Sequence, residues 1–142
     1  MKLNFVNFVR QIYGDGFIPL HRPIFCGNEK SYLLDCIDSN FVSSVGDKVD
    51  EFERLFSEFT GSRFAIATVN GTSGLHACLH ISGVIRSDEV ITQALTFVAT
   101  GNAISYCGAN PIFIDVDKDT MGMSPDALNN FLNQFCELRE GD

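Results

Sequence analysis

The stretch Val69-Asn70-Gly71-Thr72-Ser73-Gly74-Leu75 decides the fold. An apolar run at 64–69, Phe-Ala-Ile-Ala-Thr-Val, precedes it and reads as a buried strand. Residues 75–84 follow and read as a helix. A Gly/Ser/Thr turn between a strand and a helix has two uses. Glycine lets the backbone approach a ligand closely. The first N–H groups of the helix lack internal partners, and the helix dipole favours an anion there. Hydroxyls at Thr72 and Ser73 add donors, so the turn reads as a phosphate cup. It also reads as a capped tight turn, because Ser and Thr are preferred helix caps.

Downstream the pattern alternates. Residues 90–93 form a strand, 97–107 a helix ended by Gly108, and 111–116 a strand. Residues 124–135 form a helix with Ser124 as N-cap and Pro125 at its first position. This alternation predicts an α/β fold, a mainly parallel sheet with flanking helices. Ligands of such sheets sit outside the carboxyl ends of the strands. The turn at 71–74 lies at such an end, which favours the anion over the plain cap.

Upstream, 27–39 reads as a helix with Tyr32, Leu33, Cys36 and Ile37 on one face. A second helix over 47–59 carries the stripe Val49, Phe52, Leu55, Phe56 and Phe59, and Gly61 ends it. Between them, 41–46 is a loop of small residues. Residues 1–17 read as a short helix or loose arm, and the prolines at 19 and 23 keep 18–23 extended. The expected organisation is an arm over 1–26, a helical segment over 27–61 and an alternating block over 62–142.

Composition narrows the function. The net charge is −8 and the pI about 4.7, which disfavours nucleic acid and anionic membrane surfaces. No apolar run approaches the roughly 20 residues a membrane span needs. Five scattered cysteines without a C-x-x-C pair fit reduced thiols in a cytoplasmic protein.

The turn is not a P-loop, because Leu75-His76 follows Gly74 where Lys-Ser/Thr is needed. His76 and His80 have the i,i+4 spacing of two metal ligands, but no glutamate stands between them and His21 is the only other histidine, so no metal is expected. In Thr96-Phe97-Val98-Ala99-Thr100, Phe97 opens a helix right after a strand. It can stack on a flat heteroaromatic ring or serve as one more core Phe among 13. Asp115 and Asp117 read as a solvated strand end. Lys48 and Lys118 read as solvated surface lysines.

Asn70-Gly71-Thr72-Ser73-Gly74-Leu75-His76 resembles the glycine-threonine turn of the DegT/DnrJ/EryC1/StrS aminotransferases, fold-type I enzymes that aminate keto-sugars with pyridoxal phosphate. Asp88-Glu89-Val90-Ile91, Thr96-Phe97-Val98-Ala99-Thr100 and Ala109-Asn110-Pro111-Ile112-Phe113-Ile114-Asp115-Val116-Asp117 resemble that family in order and spacing, as do Ile18-Pro19-Leu20 and Ser44-Val45-Gly46 upstream. The wording of 40–46 and 91–97 is closest to the branch serving legionaminic-acid-type nonulosonates.

The resemblance implies a fold-type I large domain and roles by position. Gly71, Thr72 and Ser73 would hold the phosphate of pyridoxal 5'-phosphate or pyridoxamine 5'-phosphate, and Phe97 would stack on the pyridine ring. Ser43, Ser44 and Gly46 would lie near the substrate. The implied reaction converts a 4-keto-6-deoxy nucleotide sugar to its 4-amino sugar with glutamate as donor, in a homodimer. A dehydratase using pyridoxamine phosphate and a non-catalytic binding module are the alternatives. The family's covalent lysine and its ring-nitrogen aspartate follow the segment matched here, and neither Lys48 nor Lys118 stands in the lysine motif. The chain is therefore expected to be an N-terminal portion, inactive alone. In the family the first strand lies apart from the next two, so 90–93 and 111–116 are expected to pair while 64–69 is left without its neighbours. The portion should then be marginally stable.

Overall fold

The structure, a computed structural model, describes residues 2–138. The ends of the expected arm and alternating block, residue 1 and residues 139–142, lie outside the described residues. The chain divides into two compact units, 1–65 and 66–142.

The first unit is helical. α1 spans Lys2–Tyr13, α2 Glu29–Asp38 and α3 Asp47–Thr60. Gly61 closes α3 in the left-handed conformation at φ 69°, as the sequence predicts. The other end of α3 starts on Gly46, whose carbonyl accepts the N–H groups of Val49 at 2.9 Å and Asp50 at 3.2 Å. Gly46 sits at φ 154° and ψ 159°, a region essentially reserved for glycine. No side chain of α2 or α3 is fully buried, and the α3 stripe of Phe52, Leu55, Phe56 and Phe59 stays exposed.

The second unit holds the sheet. Its elements are α4 (Gly71–Ile81), β1 (Glu89–Gln93), α5 (Val98–Tyr106), β2 (Asn110–Ile114) and α6 (Pro125–Phe135). β1 and β2 pair in parallel, with Glu89 opposite Asn110 and Gln93 opposite Ile114. Parallel neighbours need a crossover, and α5 supplies it. α5 packs on both strands, α4 packs on α5, and α6 packs on β2. The buried side chains among the described residues are Thr92, Ala103, Ile104, Ala109 and Ile114, all where α5 meets the strands. Gly108 ends α5 at φ 76°, and its carbonyl accepts the Ser87 N–H at 3.0 Å, which ties the turn before β1 to the entry of β2.

The α/β class with a parallel sheet and flanking helices is as expected, and so is the pairing of the two strands. Residues 64–69 are a correction: they form no strand. A strand persists only where a neighbour completes its ladder, and the two strands described pair with each other. Helix α4 begins at Gly71, ahead of the expected start, because Asn70 caps it. β2 ends at Ile114, and Val116 instead makes an isolated antiparallel bridge to Met123. Ser124 is the N-cap of α6, its hydroxyl accepting the Ala127 N–H at 3.2 Å. Among the described residues no helix is long and apolar enough to cross a membrane.

A two-stranded sheet with one covered helix face buries little apolar area for the chain it must order. Purified residues 1–142 are expected to melt broadly and to bind a hydrophobic dye before heating. Differential scanning calorimetry checks this, and a sharp cooperative transition without dye binding contradicts it.

Candidate functional site

The start of α4 is built by three local contacts. Asn70 is extended, and its Oδ1 accepts the Ser73 N–H at 2.8 Å. The Asn70 carbonyl accepts the Gly74 N–H at 3.1 Å and the Thr68 hydroxyl at 3.1 Å. Gly74 lies against that hydroxyl so closely that an added Cβ would stand 3.0 Å from it. The cap is therefore Asn70, and Thr72 and Ser73 remain available. Thr72 is half-buried and Ser73 exposed. Space around Gly71 is open, with no heavy atom within 4 Å of an added Cβ. No acidic residue occupies the first turn. The N–H groups of Gly71 and Thr72 have no intrahelical acceptor, so the positive end of α4 faces open space beside two hydroxyls.

These residues fit a phosphate. Room, donors and the absence of a competing carboxylate coincide at one helix end. The Ser73 N–H is the exception, since Asn70 already uses it.

Phe97 is not a core residue: it is 77% exposed and caps the start of α5. The hydroxyls of Thr96 and Thr100 lie 3.0 Å apart across that cap. With Thr96, Gly101, Asn102, Pro111 and Phe113, Phe97 lines a cavity of about 350 Å³. Ser73 lines a different one of about 600 Å³ with His76, His80, Arg86 and Tyr106. In it the His76 ring meets Tyr106 edge-on at 5.7 Å. Among the described residues, no three His, Cys, Asp or Glu side chains converge as metal ligands would.

Ser43, Ser44 and Gly46 belong to the first unit. Ser43 Oγ accepts the Val45 N–H at 3.3 Å, and an added Cβ on Gly46 would stand 3.0 Å from Phe41 Cβ. Ser43 and Gly46 line a cavity of about 450 Å³ between α2 and α3. Lys48, read from sequence as a solvated lysine, is solvent-accessible and also makes two surface contacts. Its Nζ lies 4.1 Å from the Tyr32 ring centroid and 3.3 Å from Glu51 Oε2. The hydrogen bond to Glu51 holds its pKa above the ordinary 10.5. Sequence reasoning missed this pair because sixteen positions separate Tyr32 from Lys48. The Asn70 cap was legible, since asparagine leads the N-cap ranking.

Asp117 is also more than a solvated strand end. Its Oδ1 accepts the Thr120 N–H at 2.8 Å, the Asp119 N–H at 2.9 Å and the Thr120 hydroxyl at 3.1 Å, which folds the 117–122 turn. The Thr120 N–H leads in holding its carboxyl below the usual 3.8.

A family model described as the DegT/DnrJ/EryC1/StrS aminotransferase family matches residues 25–137. The chain is similar to GDP-perosamine synthase of Escherichia coli O157:H7, with 43% identity over 108 residues, 76% of this chain and 30% of that protein. It resembles the solved aminotransferase from Psychrobacter cryohalolentis at a TM-score of 0.71 and 33% identity, over 81% of this chain and 29% of the other. It also resembles Spr1654 of Streptococcus pneumoniae, solved in a PLP form, at a TM-score of 0.68 and 29% identity over 80% of this chain and 29% of that one. The chain spans about 30% of the length of the curated relatives it matches.

Two outcomes follow from these local contacts. Asn70→Ala should speed amide exchange in the first turns of α4 about fivefold, equivalent to about 1 kcal/mol, and Asn70→Gly by less than about twofold; equal increases would contradict the cap. The Asp117 turn is fully supported above pH 3.8 and loosens as the pH falls through the lower folded value. Amide exchange at Asp119 and Thr120 should therefore lose protection in acid, and Asp117→Ala should lack that protection at every pH.

Proposed function

Because the chain belongs to the DegT/DnrJ/EryC1/StrS aminotransferase family, we propose that it holds the phosphate and ring of pyridoxal 5'-phosphate in an aminotransferase of nucleotide sugars. The observation that carries this is the start of α4, where the exposed Ser73 and half-buried Thr72 hydroxyls flank a helix N-terminus free of carboxylates. The N–H groups of Gly71 and Thr72 and the hydroxyls of Thr72 and Ser73 bind the phosphate. Phe97, exposed at the head of α5, stacks on the pyridine ring and orients it. The 43–46 loop contributes to holding the substrate.

When bound, the cofactor supplies an electron sink and carries the amino group from donor to keto-sugar. The chain's own residues anchor and orient it. Its two candidate lysines have other surroundings: Lys48 lies over Tyr32, and Lys118 is exposed in the turn after β2. The relative made for a GDP-linked sugar supports a nucleotide sugar as substrate. A 4-keto-6-deoxy sugar with glutamate as donor, a homodimeric cytoplasmic enzyme and a place in nonulosonate or surface-polysaccharide synthesis are the finer terms of this reading.

Titration of the chain with pyridoxal 5'-phosphate tests the reading. Hydrogen bonds to a charged group are worth about 1.5–3 kcal/mol each. Thr72→Ala combined with Ser73→Ala should weaken binding at least about tenfold, and inorganic phosphate should compete. Unchanged affinity in the double variant, with the wild-type circular dichroism spectrum, contradicts it.

A further inference from the structure

The 41–46 loop joins α2 to α3, neither of which buries a side chain completely. Its conformation therefore rests on a few identifiable contacts. Phe41 closes on Gly46, and Ser43 Oγ accepts the Val45 N–H. Two residues beyond the loop, Lys48 reaches across to α2 and sets its ammonium over the Tyr32 ring at 4.1 Å. Glu51 fixes that ammonium from one turn along α3, at 3.3 Å. On α2, the Tyr32 hydroxyl also accepts from Asn28 Nδ2 at 3.4 Å, an exposed contact apart from the ring face that meets Lys48. The Lys48 stem, Leu33, Cys36 and Gly46 line the same cavity as Ser43.

We propose that the Lys48–Tyr32 contact is a latch that sets the spacing of α2 and α3 and so holds the 41–46 loop in its bound-ready shape. Lys48 and Tyr32 are then positioning residues. They act through the loop backbone and touch no reacting atom. A cation over an aromatic face suits such a latch, because the attraction survives partial exposure and depends on the ring rather than on the hydroxyl. The relevance of the latch to substrate binding rests on the reading that the loop serves the substrate.

Hydrogen exchange on the purified protein separates the possibilities. Tyr32→Leu and Lys48→Met should each speed exchange at the Val45 N–H about two- to fivefold, the worth of a partly exposed cation–π contact. Tyr32→Phe keeps the ring and Lys48→Arg keeps a stacking cation, so both should return exchange to the wild-type rate. Amides of α4, in the other unit, should not change and report that the protein remains folded. No rise at Val45, or an equal rise in the conservative variants, overturns the latch. Binding of GDP to Ser43→Ala tests the substrate reading separately: if it is unchanged, that reading fails while the exchange rates still decide the latch.

Discussion

The burial of Ala103 and Ile104 against two parallel strands is the contact on which the second unit depends. Parallel neighbours cannot be joined by a tight turn. The chain must leave β1, cross over and return, and the crossover helix must bury one face to stay in place. Ile104, at 2% exposure, is the residue that face presents, with Ala109 and Ile114 completing the cluster. Everything else in the unit is hung on this arrangement. α4 packs on α5, α6 on β2, and Gly108 returns the chain to start the second strand.

That packing leaves the starts of α4 and α5 as the places where the proposed cofactor contacts lie. Phe97 caps α5 and Asn70 caps α4, so each stands where backbone N–H groups are left over. A chain folded this way presents positive helix ends without using charged side chains. A net charge of −8 is therefore compatible with the phosphate site proposed at the start of α4. Only the local field matters at a distance of a hydrogen bond, and no carboxylate stands in the first turn of α4 to oppose it.

Much of this was legible in the sequence, for physical reasons. Helix α3 announced itself by its 3.6-residue stripe and by Gly61, and α6 by Ser124 and Pro125, because periodicity and capping are local. The parallel pairing followed from alternation of elements. What failed was non-local. Residues 64–69 have the composition of a strand, yet composition does not provide a partner, and β1 and β2 pair with each other. Phe97 could be read as core or as stacking platform, and only packing showed it 77% exposed. The engagement of Lys48 with Tyr32 spans two helices and left no periodic trace. Asp117 stays in contact with solvent as read, while its gathering of the 117–122 turn rests mainly on backbone N–H groups and so depends on the local backbone path.

The central claim is that the start of α4 is a phosphate site. A crystal structure of the protein with pyridoxal 5'-phosphate tests it most directly. The account predicts phosphate oxygens within about 3 Å of the Gly71 and Thr72 nitrogens and of the Thr72 and Ser73 hydroxyls, with the ring against Phe97. Phosphate bound instead in the His76, His80 and Arg86 cavity, with the α4 start bare, would contradict it.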